Sequence, residues 1–110
     1  MTNRLTTDFW VSAYLTRLRL ADIPVFVTAK GDATAGVVMV KVNTLDGQAV
    51  VYQRSFDLMS GERAWVVLRE GAEHEVDEAI AKQRNFDADL WVIEVEDKAG
   101  RHLLDQDGLS

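Results

Sequence analysis

Residues 84–97 read RNFDADLWVIEVED: the end of a charged helix, a turn holding two carboxylates, then an apolar strand that also carries acids. Asp87 and Asp89 mark the turn, because short acidic side chains accept nearby backbone N–H groups and compete with helix. Asp89 to Glu96 then reads as a strand rich in β-branched and aromatic residues. A helix that feeds a buried strand so late in the chain must return it to a sheet begun earlier.

Upstream, Glu73 to Arg84 has helical spacing through Val76, Ala79, Ile80 and Gln83. Its acids Glu73, Glu75 and Asp77 come first and its bases Lys82 and Arg84 last, the order a helix dipole favours. Four β-rich runs precede it: Val25 to Ala29, Gly36 to Asn43, Gln48 to Ser55, and Glu62 to Arg69 after a turn near Ser60-Gly61. Asp46-Gly47, between the second and third runs, is a strong hairpin signal. Thr7 to Leu20 forms the opening helix, with Thr7 as N-cap, Trp10, Val11, Tyr14, Leu15 and Leu18 as buried stripe, and Pro24 marking the exit.

The order α-β-β-β-β-α-β predicts a single α+β domain over residues 1–110, with two helices on a five-stranded, mostly antiparallel sheet. Its ordered core spans about 5–97, and the tail 98–110 is expected to be flexible. Short turns make the first four strands a meander. The fifth strand can then pair antiparallel with the first, predicting spatial order 5-1-2-3-4 with the first strand interior.

Composition narrows the chemistry. The 110 residues include no cysteine, which removes disulfides, thiolate metal sites and cysteine nucleophiles. His74 and His102 share no metal-motif spacing. No apolar run approaches the ~20 residues that span a bilayer, and the N-terminal stretch does not resemble a secretory signal. The expectation is a cytoplasmic protein with no membrane partner. Net charge is −6, unevenly placed: residues 1–69 hold eight Lys/Arg against six Asp/Glu, and residues 70–110 hold four against twelve. So acidic a second part argues against nucleic acid as a partner, which needs a basic footprint.

Alternation sorts the strands into two faces. Val38, Val40, Val42, Val66, Leu68, Trp91, Ile93 and Val95 form the face expected to carry the helices. The other is mixed, with Met39, Lys41, Arg54, Trp65, Arg69, Val92 and Glu94 as its candidate interaction residues. Either a helix covers each face and the charges sit at the rim, or the mixed face stays open. An open face of this kind is expected to bind a partner protein or a second copy of the chain, with no cofactor and no small-molecule ligand.

The motif Arg84-Asn85-Phe86-Asp87-x-Asp89-Leu90-Trp91, followed by the Glu94 and Glu96-Asp97 acids, resembles the signature of a small alphaproteobacterial family. This is number fourteen ninety-one in the domain-of-unknown-function series (DUF1491). Trp10-Val11-Ser12-Ala13, residues 30–36 (KGDATAG), Lys41-Val42-Asn43 and Leu45-Asp46-Gly47 add to the match, which spans roughly Leu5 to Leu104. The resemblance implies a stand-alone intracellular bacterial protein and carries no activity, cofactor or functional residue with it.

Three constellations remain. Glu96-Asp97-Lys98 has the spacing of a metal-dependent nuclease strand, and Asp87, Asp89, Glu94 and Glu96 could surround a divalent ion. Yet the upstream acids fall within one strand's length, and the acidic setting would repel DNA. Arg84, Asp87 and Asp89 are better explained as turn-setting residues, with Arg84 pairing one of the carboxylates. Residues 30–36 lack the Gly-Lys-Ser/Thr ending of a phosphate loop, so their glycines are expected to serve a strand connection through positive φ. A non-enzymatic interaction or accessory protein, with a homodimer as one form of it, is the favoured expectation; a small metal-dependent hydrolase or nuclease is the alternative.

Overall fold

A computed structural model describes residues 5–56, 59–61, 63–106 and 108–109. Met1 to Arg4, Glu62, Asp107 and Ser110, which the sequence reading placed in the N-terminus, the fourth strand and the tail, lie outside them. The elements are α1 (Thr7–Leu20), β1 (Val25–Ala29), β2 (Val38–Asn43), β3 (Gln48–Phe56), β4 (Arg63–Ala72), α2 (Glu73–Phe86) and β5 (Trp91–Glu96). They make one mixed five-stranded sheet with two helices, an α+β domain as expected.

The strand order is β1-β5-β2-β3-β4, which corrects the expected 5-1-2-3-4. β5 does pair antiparallel with β1, Val25 facing Val95. Its other neighbour, however, is β2, to which it runs parallel, Val40 facing Ile93. Two physical reasons place it there. The connection between β1 and β2 is a loop rather than a tight turn, so the two strands can stand a strand's width apart. β5 is also the strand that gains most from a central position: Trp91, Val92, Ile93 and Val95 are buried on its two faces. β1 is the edge instead, and its Phe26 and Val27 stay half exposed.

Residues 30–36 close over the start of β5. The Asp32 N–H donates to the Asp89 carbonyl at 3.0 Å, and the Trp91 indole N–H donates to the Asp32 carbonyl at 2.8 Å. The same loop satisfies the first turn of α1, through Thr7 N–H to Thr34 O and Asp8 N–H to Ala33 O. Thr7 is therefore the first helical residue rather than the N-cap, and its hydroxyl donates to the Gly36 carbonyl at 2.8 Å. Gly31 and Gly36 are required by close approach, not by positive φ. A Cβ on Gly31 would lie 2.1 Å from the Asp89 oxygen, and one on Gly36 2.6 Å from it.

Each face of the sheet carries one helix. α1 lays Trp10, Val11, Tyr14 and Leu18 on Val38, Val40, Val42, Trp91, Ile93 and Val95. α2 lays Val76 and Ile80 on Met39, Ala49, Val51, Leu90 and Val92. Part of the closing segment also joins the core. Leu104 and Leu109 are each 1% exposed within the α1-side core. The Tyr14 hydroxyl donates to the His102 carbonyl at 2.7 Å, and the Trp65 indole to the Leu109 carbonyl at 3.0 Å.

Candidate functional site

The parallel β2–β5 register sets Lys41 opposite Glu94 and Asn43 opposite Glu96. α2 starts directly above, so Glu73 and Asp77, four residues apart, look down on the same spot from one helix face. The result is a buried ammonium among three carboxylates. Lys41 Nζ lies 2.7 Å from Glu73 Oε2, 2.7 Å from Asp77 Oδ1 and 3.3 Å from Glu94 Oε1, with its side chain 4% exposed. Asn43 Nδ2 donates to Glu73 Oε2 at 3.0 Å and to Glu94 Oε2 at 3.4 Å.

Burial alone pulls the Lys41 pKa down. The hydrogen bonds to Asp77 and Glu73 and the charge of Glu94 outweigh it, so the ammonium is held above its ordinary range. Its three N–H donors are matched by three acceptors, and it is neither a base nor a nucleophile. The group can hold α2 to the sheet; it has no free amine to offer to chemistry. Lys41 was read as an interface cation, and its partners Glu73, Asp77 and Asn43 were missed. The signal was present: a lone lysine in a valine-rich strand, and two acids one turn apart where the next helix begins.

The other expected interface residues do not share one open face. Met39 and Val92 are 0% and 4% exposed beneath α2, and Glu94 is tied to Lys41. Arg54 and Trp65 lie on the opposite side, because the β2–β3 register pairs Val40 with Tyr52 and the β3–β4 register pairs Arg54 with Trp65. Arg69 stands at the surface, 3.6 Å from Glu75. The register shift between Val51 and Tyr52 breaks the alternation of β4, which also removes Val66 and Leu68 from the face predicted for them. The residues expected on one mixed face are thus divided among the α2 side, the α1 side and the surface.

Asp87, Asp89, Glu94 and Glu96 do not converge either. Asp87 and Asp89 precede β5, where Asp87 Oδ1 accepts the Asp89 N–H at 3.0 Å. Among the described residues no cluster of three or more His, Asp or Glu could hold a metal ion. Arg84 sets the turn by donating to the Leu90 carbonyl at 2.9 Å, rather than by pairing a carboxylate. No helix among the described residues is long and apolar enough to cross a membrane.

On the α1 side, Arg54 lies between two indoles, its guanidinium carbon 5.1 Å from the Trp10 ring centre and 4.9 Å from that of Trp65. Trp10 in turn stacks on Tyr14 with centroids 5.0 Å apart. Arg54 Nε and Trp10 Nε1 are buried and have no acceptor among the described residues. Burial, and secondarily the charge of Arg63, depress the Arg54 pKa.

Besides the β1 edge, apolar surface stays open on β4 and on α1. β4 is the outer strand beyond β3, and Val66, Val67 and Leu68 along it are 45%, 49% and 37% exposed. The outer side of α1 presents Phe9, Ala13, Thr16 and Leu20 around a shallow groove of about 420 Å³.

Comparison with known proteins gives a family without a role. The family model described as "Protein of unknown function (DUF1491)" matches residues 5–105. The crystal structure of a DUF1491 family protein from Caulobacter crescentus CB15 is 38% identical with a TM-score of 0.85, covering 93% of this chain and 96% of that one. An NMR structure of a DUF1491 family protein from the same organism gives 36% and 0.81, over 94% and 96%. A solution structure of a protein from A. tumefaciens gives 29% and 0.72, over 86% of each chain. No curated protein matches.

Proposed function

Because the chain belongs to the DUF1491 family, whose description names no activity, we propose from its surface that it is a non-enzymatic interaction module that pairs with a second copy of itself through β4. The observation that carries this reading is the longer of the two edge strands: ten residues, Arg63–Ala72, with three consecutive half-exposed apolar side chains. An edge strand has unpaired backbone N–H and C=O groups that an added strand can satisfy. Arg63 stands at one end of β4 and Glu70 at the other, and the register sets both on one face. An antiparallel two-fold pairing brings Arg63 of each copy toward Glu70 of the other, which favours self-pairing over an unrelated strand.

Trp65, the natural first target for mutation, is unsuitable: its indole holds Leu109 and packs on Trp10 at 5.5 Å. Val67→Lys is the better variant, since the side chain is half exposed and a charge there opposes edge pairing. Light scattering on the purified chain is expected to give a dimer, and V67K a folded monomer. A folded monomer for the unaltered chain at high concentration overturns the reading.

A further inference from the structure

We propose that the Arg54–Trp10 corner is a carboxylate-binding site. This inference stands apart from pairing through β4 and survives its failure. The argument begins with what a buried cation requires. A guanidinium taken partly out of water needs acceptors for its N–H groups and an opposite charge nearby. This protein carries 18 Asp and Glu, and Lys41 alone is given three of them. Arg54 makes no ion pair with any described residue, and the charge that acts on it is the like charge of Arg63, two residues along β4 from its partner Trp65. Among the described residues its buried Nε finds no acceptor, and neither does the indole N–H of Trp10, a residue 6% exposed.

The other two tryptophans show how unusual this is. Trp65 Nε1 donates to Leu109 O at 3.0 Å, and Trp91 Nε1 to Asp32 O at 2.8 Å. Among the described residues, Arg54 Nε and Trp10 Nε1 are donors without acceptors, and the two rings flank the guanidinium without answering its charge. Donors without acceptors, held rigid beside a second cation, select an anion. A planar guanidinium matches a carboxylate through two parallel hydrogen bonds. A phosphate dianion would be less suited to a chain whose net charge is already −6. The carboxylate can come from a small molecule or from an acidic side chain of a partner.

The test is an NMR titration of the whole ¹⁵N-labelled chain with sodium acetate, matched in ionic strength against sodium chloride. The expected result is a saturable shift of the Arg54 Nε–H and Trp10 indole signals, with the Trp91 indole signal, already bonded, unmoved. N-acetyl-glutamate amide serves as the second probe. Tighter binding than acetate assigns the site to a protein side chain, and equal binding to a free carboxylate. Arg54→Lys keeps the charge but not the fork, and is expected to weaken binding at least about tenfold while the remaining spectrum is unchanged. No saturable shift, an equal response to chloride, a response to phosphate but not acetate, or full binding by R54K would each overturn the proposal.

Discussion

On the α1 side of the sheet, the core is aromatic, and three of its ring N–H and O–H groups are bonded to backbone carbonyls supplied by distant segments. Tyr14 reaches His102, Trp65 reaches Leu109 and Trp91 reaches Asp32. On the α2 side, the helix buries two residues, Val76 and Ile80, and is fastened by the ion cluster on Lys41. One face is closed by bulk and by the end of the chain, the other by charge. The two should therefore respond differently to the same kinds of insult.

The largest effect is expected on the aromatic side. Leu104→Ala removes a side chain that is 1% exposed and leaves a cavity among α1 and the sheet. Such changes cost 2–5 kcal/mol in well-packed cores, and about 3 kcal/mol is expected here by denaturant unfolding. A loss below about 0.5 kcal/mol, the range of surface substitutions, would mean that the closing segment is not part of the core.

On the ionic side, Lys41→Met keeps the volume but leaves Glu73, Asp77 and Glu94 facing each other. Removing one partner from a fully buried pair costs about 3–5 kcal/mol; Glu73 and Asp77 are partly open to water, so about 2 kcal/mol is expected. Adding Glu73→Gln and Asp77→Asn to K41M should recover much of that loss. If the triple variant is no more stable than K41M, repulsion among the acids is not what Lys41 prevents. The Lys41 contribution is also insensitive to ordinary pH. Its folded pKa lies above its ordinary 10.5, so the stabilisation is fully present below that value and fades only in strong alkali.

These two faces were not equally legible. Helix and strand positions follow from local pattern: Thr7–Leu20 and Val25–Ala29 have the predicted limits, and the Asp46-Gly47 turn joins β2 to β3. Assignment of strands to faces depends on register, which local alternation does not contain. One hairpin pairing, Val40 with Tyr52, turns Arg54 and Trp65 away from Lys41. The two core leucines of the closing segment, Leu104 and Leu109, are spaced by polar residues and glycine, with no period in the sequence to mark them. The central place of β5 was visible only as hydrophobicity. Of the two strongly apolar strands, β5 carries the heavier side chains, and burial of Trp91 outweighs the short-connection rule that favoured β1.

The smallest effect distinguishes the faces by acid. His102 lies in the closing segment, its ring 4.7 Å from that of Tyr52, and its Nδ1 accepts the Leu104 N–H at 3.0 Å. Burial, only partly opposed by Asp105, holds its pKa below the ordinary 6.5. Above that value the imidazole is neutral in folded and unfolded chains alike, and its contribution is complete. As pH falls through 6.5 the unfolded chain takes up the proton first, so stability declines until the folded imidazole is protonated as well. Protonation of Nδ1 also removes the acceptor that Leu104 uses, so the loosening should begin in the segment that seals the aromatic face. His102→Asn keeps an acceptor for the residue two positions on but cannot titrate. Between about pH 7.5 and about pH 5.5, the unaltered chain is expected to lose more stability than H102N, with faster amide exchange at Leu104 and none at Val76 or Ile80. Equal losses in the two proteins would mean that the acid response of the aromatic face does not pass through His102.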